Sequence, residues 1–398
     1  MLPAAKRIMK QRIIRWTNRI FAEGTMVRNA FRSNYSKRVL IAYLTEPYRH
    51  SKNISRRHTN LTESFTAGKV FHDLGFSVDC VHAYSEEKIK FENYDVLYGI
   101  VGTVMSSSFS KPKDMVRIHY APGVHQAFAH RETAYKMRAV HRKTDSWMTS
   151  SVRYGGHINW GFAVYLSDHV IVLGNAFTLN TYTEQDNQKE RYSSLPAFFF
   201  NTQQPDLEKK NYAEAKKHFL WFGSMGLTHK GLDSCLDIFL ERDDLTLHIC
   251  GAPRKEKEFW DYYDPLIKGR KNIIVHGFVD IASLEFAAIL SRCGFVIFPS
   301  VSEGGAAALL NVVGNGGLVP LYTQATGVDF QEFGIEVPKP DTDLFRRAIN
   351  VAAEMSNEEL KQRTVRGYNT VRENYTLDKY EENLKKIISD LLKDKKIL

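Results

Sequence analysis

A chain of 398 residues, 43% of them hydrophobic, exceeds a single ordinary domain and can build two cores. Its four cysteines, Cys80, Cys235, Cys250 and Cys293, are scattered without a Cys-x-x-Cys pair, which argues against a structural zinc site and marks them as reduced core residues in a reducing compartment. The net charge of +9 belongs to Met1–Arg38, where ten Lys or Arg face the single acid Glu23; Val39–Leu398 is neutral, which disfavours nucleic-acid binding.

In that basic tail Met9, Ile13, Trp16 and Ile20 form a helical stripe, with Arg12, Arg15 and Arg19 on one flank and Lys6 and Lys10 on the other. Residues 4–22 therefore read as an interfacial helix that snorkels its cations to an anionic membrane surface. The expected location is cytoplasmic, peripheral on the inner face of the plasma membrane. A tail docked on the body or an organelle transit peptide fits the same composition. No run of about 18 apolar residues predicts a transmembrane helix.

Strands are expected at Arg38–Leu44, Phe76–His82, Asp95–Val101, Val116–Tyr120 and His169–Leu173, with helices over Leu61–Leu74, Gln126–His141 and Asn175–Glu184. This is a Rossmann-like half, but no GxGxxG fingerprint follows its first strand, so a dinucleotide is not expected there. The loop after that strand, Thr45–His58, carries four Lys or Arg, two His and one acid. It reads either as a solvated loop or as a clamp for an anionic acceptor, with Arg49, Arg56 and Arg57 as its cations. Tyr120-Ala-Pro-Gly-Val-His125 ends a further strand at the same edge. His125 follows a Pro-Gly turn and can reach a ligand, whereas His119 lies inside the strand as a core histidine.

A polar segment, Asn201–Lys217, reads as a linker. Beyond it, apolar strand cores at Phe219–Phe222, Leu247–Cys250, Ile273–Val275, Phe295–Phe298 and Leu318–Leu321 alternate with helical stretches, the pattern of a second doubly wound parallel sheet. Two turns at strand ends suit a diphosphate. One is Gly223-Ser224-Met225 with His229-Lys230-Gly231, whose lysine supplies a mobile charge. The other, Pro299-Ser300-Val301-Ser302-Glu303-Gly304-Gly305, opens a helix from Ala306 to about Val313 and aims backbone N–H groups at an anion. Glu303 there serves either as a charge–dipole contact or as an acceptor for hydroxyls beside a bound phosphate. Thr376–Lys396 shows a last helical stripe of Tyr380, Leu384, Ile387, Ile388 and Leu391.

The ordered set of Lys230-Gly231, Gly251, Asn272-Ile-Ile-Val-His-Gly-Phe-Val279, Pro299-Ser300, Ser302-Glu303-Gly304-Gly305 and Gly316-Gly317-Leu-Val-Pro320 resembles the C-terminal half of the family 4 (group 1) retaining glycosyltransferases. The likeness covers most of residues 218–335. It implies a GT-B fold, two Rossmann-like domains facing across a cleft, with residues 1–36 as tail, 37–205 for the acceptor, 206–375 for the donor nucleotide and 376–398 as a helix returning to the first domain. By this resemblance Lys230 contacts the diphosphate, Glu303 holds hydroxyls of the transferred sugar, and Gly223, Ser224, Gly304 and Gly305 lie beside the phosphates. Gly251, Phe278 and Val279 receive the nucleobase, Asn311 the ribose, and His125 faces the donor sugar as a catalytic candidate. Two positions depart from the family: Ser224 replaces an arginine that often follows the first glycine, and Asn311 replaces the second glutamate of a Glu-x(7)-Glu pattern.

The implied activity moves a hexosyl-type sugar, with retention of configuration, from a nucleotide-diphosphate sugar to a glycan or lipid-linked acceptor in cell-surface polysaccharide or glycolipid synthesis. No cofactor and no metal are expected, since the reaction that the resemblance implies requires no divalent cation. A membrane-tethered GT-B pseudoenzyme that binds without transfer is the alternative, favoured by Ser224 and Asn311.

Overall fold

Runs of apolar residues separated by amphipathic helices build two six-stranded sheets, parallel throughout. The computed structural model describes residues 26–50, 54, 58–85, 87–110, 114–153 and 159–398. The expected interfacial helix over 4–22 and the candidate acceptor residues Arg56 and Arg57 lie outside the described residues.

The first sheet holds β1 (Lys37–Tyr43), β2 (Phe76–His82), β3 (Val96–Gly99), β4 (Val116–Ala121), β5 (His169–Leu173) and β6 (Tyr192–Leu195), in the order β2-β1-β3-β4-β5-β6. The second holds β7 (His218–Phe222), β8 (Thr246–Cys250), β9 (Ile273–Gly277), β10 (Phe295–Phe298), β11 (Val319–Thr323) and β12 (Ile335–Val337), in the order β12-β11-β10-β7-β8-β9. Their central strands are buried on both faces, as parallel sheets covered by helices require. In the second core Phe219 of β7 stacks on Phe295 of β10, with ring centroids 4.8 Å apart.

Strand order reverses between β1 and β3 in the first sheet, and between β7 and β10 in the second. At such a switch point the loops leaving neighbouring strands diverge to opposite faces and open a crevice beyond the carboxyl ends. The basic first loop leaves β1, and the two glycine-bearing turns leave β7 and β10.

Several elements depart from the sequence expectation. β6 and β12 are edge strands of four and three residues, too short to show a period. Helix Val101–Phe109 contains a glycine and three serines, and helix Asn159–Leu166 is apolar enough to read as strand. The first loop also contains a short helix, Glu46–Arg49, with Pro47 in its first turn. In the last helix, Leu377–Asp394, Leu384 and Ile388 are buried, and Leu392 rather than Leu391 continues their spacing.

The chain divides into two compact units. One comprises the described residues within 1–120 and 157–171 together with Glu381–Leu398, and the other those within 121–156 and 172–380. Residues 121–153 thus group with β7–β12.

Candidate functional site

The turn after β7 is shaped by hydrogen bonds to its backbone. Glu256, itself 2% exposed, accepts the N–H groups of Gly226 at 2.6 Å and Leu227 at 2.8 Å. The Lys230 N–H donates to the Gly226 carbonyl at 2.7 Å, and the Lys230 carbonyl accepts the Trp221 indole N–H at 3.1 Å. Gly231 follows in the left-handed region with φ +71°, where an added Cβ would lie 2.3 Å from the Pro299 carbonyl oxygen. A side chain at this position is therefore excluded twice, by conformation and by space.

The turn after β10 is anchored where the Glu303 N–H donates to the Ala325 carbonyl at 2.7 Å. Because β7 and β10 are neighbours, Lys230 and Glu303 meet. The Lys230 ammonium donates to Glu303 Oε1, which also accepts the Ser300 hydroxyl at 3.2 Å. The two side chains are 6% and 12% exposed. Arg153 approaches the other carboxylate oxygen, its Nη1 lying 3.4 Å from Glu303 Oε2. Burial alone would raise the Glu303 carboxyl, but Lys230, Arg153 and His229 together hold it down to about 2. Burial pulls the Lys230 ammonium below its ordinary value, and Glu303 opposes that pull.

Beyond Glu303 the chain turns into helix Ala307–Gly316, whose first N–H groups and dipole point back toward the turn. Ala306 enters it at φ +25°, a strained conformation for a residue with a side chain. Gly304 and Gly305 are required by the protein's own packing. A Cβ at 304 would lie 2.5 Å from the Pro122 carbonyl oxygen, and one at 305 would lie 2.2 Å from the Ala197 Cβ.

That contact brings the Pro122-Gly123 turn, and His125 just after it, to the glycine turn. His125 caps helix Gln126–Thr144: its Nδ1 accepts the Ala127 N–H at 3.2 Å, which assigns the ring proton to Nε2. Burial lowers its basicity, so the ring is a neutral donor near pH 7. His119 is fully buried in β4, edge-on to Trp160, and burial holds it down to about 3, as befits a core histidine.

The remaining candidates are distributed as follows. Gly251, with φ +84°, packs on the Gly223 carbonyl; Ser224 and Phe278 are exposed and Val279 is buried. Asn311 is 6% exposed and bonded to backbone, its Oδ1 accepting the Phe200 N–H at 2.9 Å and its amide donating to the Ala307 carbonyl at 2.8 Å. An amide meets both demands at once and a carboxylate meets one, which gives the departure at 311 a structural reason. Arg49 is exposed at the end of its short helix in the other unit.

Three residues at the site carry no signal in the sequence. Arg153 is 150 positions from Glu303, and no spacing rule joins them. Glu256 sits at a helix start, where an acid is ordinary. His229 is buried, its Nε2 lying 2.8 Å from the Ser302 carbonyl, and burial holds it down to about 4. Among the described residues no group of three or more His, Cys, Asp or Glu is placed to hold a metal ion, and no helix is long and apolar enough to cross a membrane.

Neither a family model nor a curated protein matches the sequence. Solved structures do. Sucrose-phosphate synthase from Thermosynechococcus elongatus is 12% identical with a TM-score of 0.60, the match covering 90% of this chain and 100% of that one. Anabaena Alr3699/HepE in complex with UDP is 10% identical with a TM-score of 0.59, covering 89% and 100%. TarM from S. aureus is 11% identical with a TM-score of 0.51, covering 76% of this chain, which spans 57% of TarM's length. The resemblance read from the motifs of residues 218–335 therefore holds at the level of fold, and the chain is built as two Rossmann-like parallel sheets, the GT-B architecture of these glycosyltransferases.

Proposed function

We propose that the chain is a retaining glycosyltransferase that takes a sugar from a nucleotide-diphosphate sugar. The observation that carries this reading is the buried Lys230–Glu303 pair at the switch point between β7 and β10, beside a helix N-terminus. A cation and a carboxylate held so close neutralise each other. A diphosphate offers Lys230 a better partner, and Glu303 is then released to accept hydroxyls of the sugar. Lys230 and the helix N-terminus stabilise the departing diphosphate, which is the main electrostatic demand of the reaction.

In this reading His125 donates its Nε2 proton in a hydrogen bond to the donor sugar. Gly251, Phe278 and Val279 line the nucleobase position. Lys230 and the helix dipole supply the positive charge at the diphosphate, so transfer is expected to need neither metal nor cofactor. The acceptor is a glycan or lipid-linked molecule of the cell surface, anionic if Arg49, Arg56 and Arg57 clamp it, and residues 4–22 hold the enzyme at an anionic inner membrane face. Alr3699/HepE is a UDP and UDP-glucose complex in its solved structures, which makes UDP the first nucleotide to try.

The bonding of Asn311 to backbone favours a second reading, a pseudoenzyme that binds without transfer. Melting temperatures with UDP, GDP, ADP, CMP and TDP, beside Lys230→Ala, test the donor site. A nucleotide at a hundred times its Kd stabilises by about 2.7 kcal/mol. A shift with one nucleotide, lost in the variant, supports the reading, and release of that nucleotide from its sugar conjugates then separates transferase from pseudoenzyme. No shift with any of them refutes the donor site.

A further inference from the structure

Resting on that reading, we propose that Arg153 is the second cation of the diphosphate site, delivered from a distant segment to do what an arginine at position 224 would otherwise do. The segment before it is tied to the Lys230 turn by buried bonds. The Ser151 carbonyl accepts the His229 N–H at 3.1 Å, and the Ser151 and Thr228 hydroxyls lie 2.5 Å apart. Both residues are fully buried. Arg153 follows this anchor by two positions, and its side chain, 48% exposed, extends over the turn.

Its guanidinium lies 3.4 Å from Glu303 Oε2 and 3.4 Å from the Met225 carbonyl oxygen, within the Gly223–Gly226 turn that carries Ser224. At Gly226 an added Cβ would lie 3.4 Å from Arg153 Nε, so the side chain rests on the glycine itself. Arg153 and Lys230 thus approach the two oxygens of Glu303 from either side. Both guanidinium contacts are longer than the 2.7–2.9 Å usual for charged hydrogen bonds, and the fork retains donors to offer a phosphate. A diphosphate that draws Lys230 away from Glu303 meets this second cation on the other side of the same turn.

The test is isothermal titration of the full chain with UDP and UMP, and with GDP and ADP against their monophosphates, on wild type, Arg153→Gln, Arg153→Lys and the double variant Arg153→Gln with Ser224→Arg. Melting temperatures without ligand check that each variant folds. Arg153→Gln is expected to lose about ten- to a hundredfold in diphosphate affinity while monophosphate affinity changes little. Arg153→Lys should retain most of the preference, and the arginine at 224 should restore it. An unchanged diphosphate preference in Arg153→Gln overturns the proposal, as does a loss that neither Arg153→Lys nor the double variant recovers. Absence of any diphosphate preference in wild type overturns instead the donor-site reading on which the proposal rests.

Discussion

Replacing Glu303 by Gln removes one charge and leaves the side chain's size unchanged. In the native protein two cations and a hydroxyl converge on this carboxylate, and its proton affinity falls from the ordinary 4.5 to about 2. With the side chain 12% exposed, solvent screens little of that preference, which corresponds to about 3 kcal/mol at about 1.4 kcal/mol per tenfold. The glutamine oxygen still accepts from Lys230, so the net loss at pH 7 should be about 1–3 kcal/mol, a fall of roughly 2–10 °C in melting temperature for a unit of this size. The folded-state value is depressed, so the contribution is complete above the unfolded value near 4.5 and disappears as the pH falls toward about 2. Melts of wild type and Glu303→Gln at pH 7 and about pH 3.5 should therefore show a gap that narrows in acid. A gap of the same size at both pH values would refute the reasoning, because the cations would then not be what holds the carboxylate.

Glu256→Ala leaves the buried Gly226 and Leu227 N–H groups without their acceptor, and urea denaturation should show a loss of about 2–4 kcal/mol together with weaker nucleotide binding. Glu256→Gln, which keeps one acceptor oxygen, should fall between it and wild type. Asn311→Glu, which completes the Glu-x(7)-Glu pattern of the resemblance, should lower stability by about 1–3 kcal/mol without raising transfer, since a carboxylate cannot donate to the Ala307 carbonyl; thermal melts and a transfer assay read both. Gly304→Ala forces a methyl group to within 2.5 Å of the Pro122 carbonyl oxygen, and its melting temperature should drop by an amount equivalent to about 1–3 kcal/mol whether or not a nucleotide is present.

Most of the strands and the two glycine turns were legible in the sequence because they depend on near neighbours. Phe295–Phe298 reads as a buried strand from its four apolar residues alone, and Ser302-Glu303-Gly304-Gly305 reads as a turn into a helix from glycine and the helix that follows. The short edge strands β6 and β12 escaped, since Tyr-Ser-Ser-Leu and Ile-Glu-Val carry no continuous apolar run. The residue types of the proposed anion site were likewise visible at Lys230 and Glu303.

Their meeting was not. Whether residues 73 positions apart touch depends on which strands lie side by side, and the pairing of β7 with β10 is chosen by the packing of the whole sheet, to which each local segment contributes little. The same holds for Arg153, brought to Glu303 from 150 positions away by a buried anchor at Ser151, and for Asn311, whose amide serves the backbone of Phe200 and Ala307. Gly304 makes the point most simply. Its identity is a local fact, but the reason no side chain fits there is the Pro122 carbonyl, set against it by the tertiary structure.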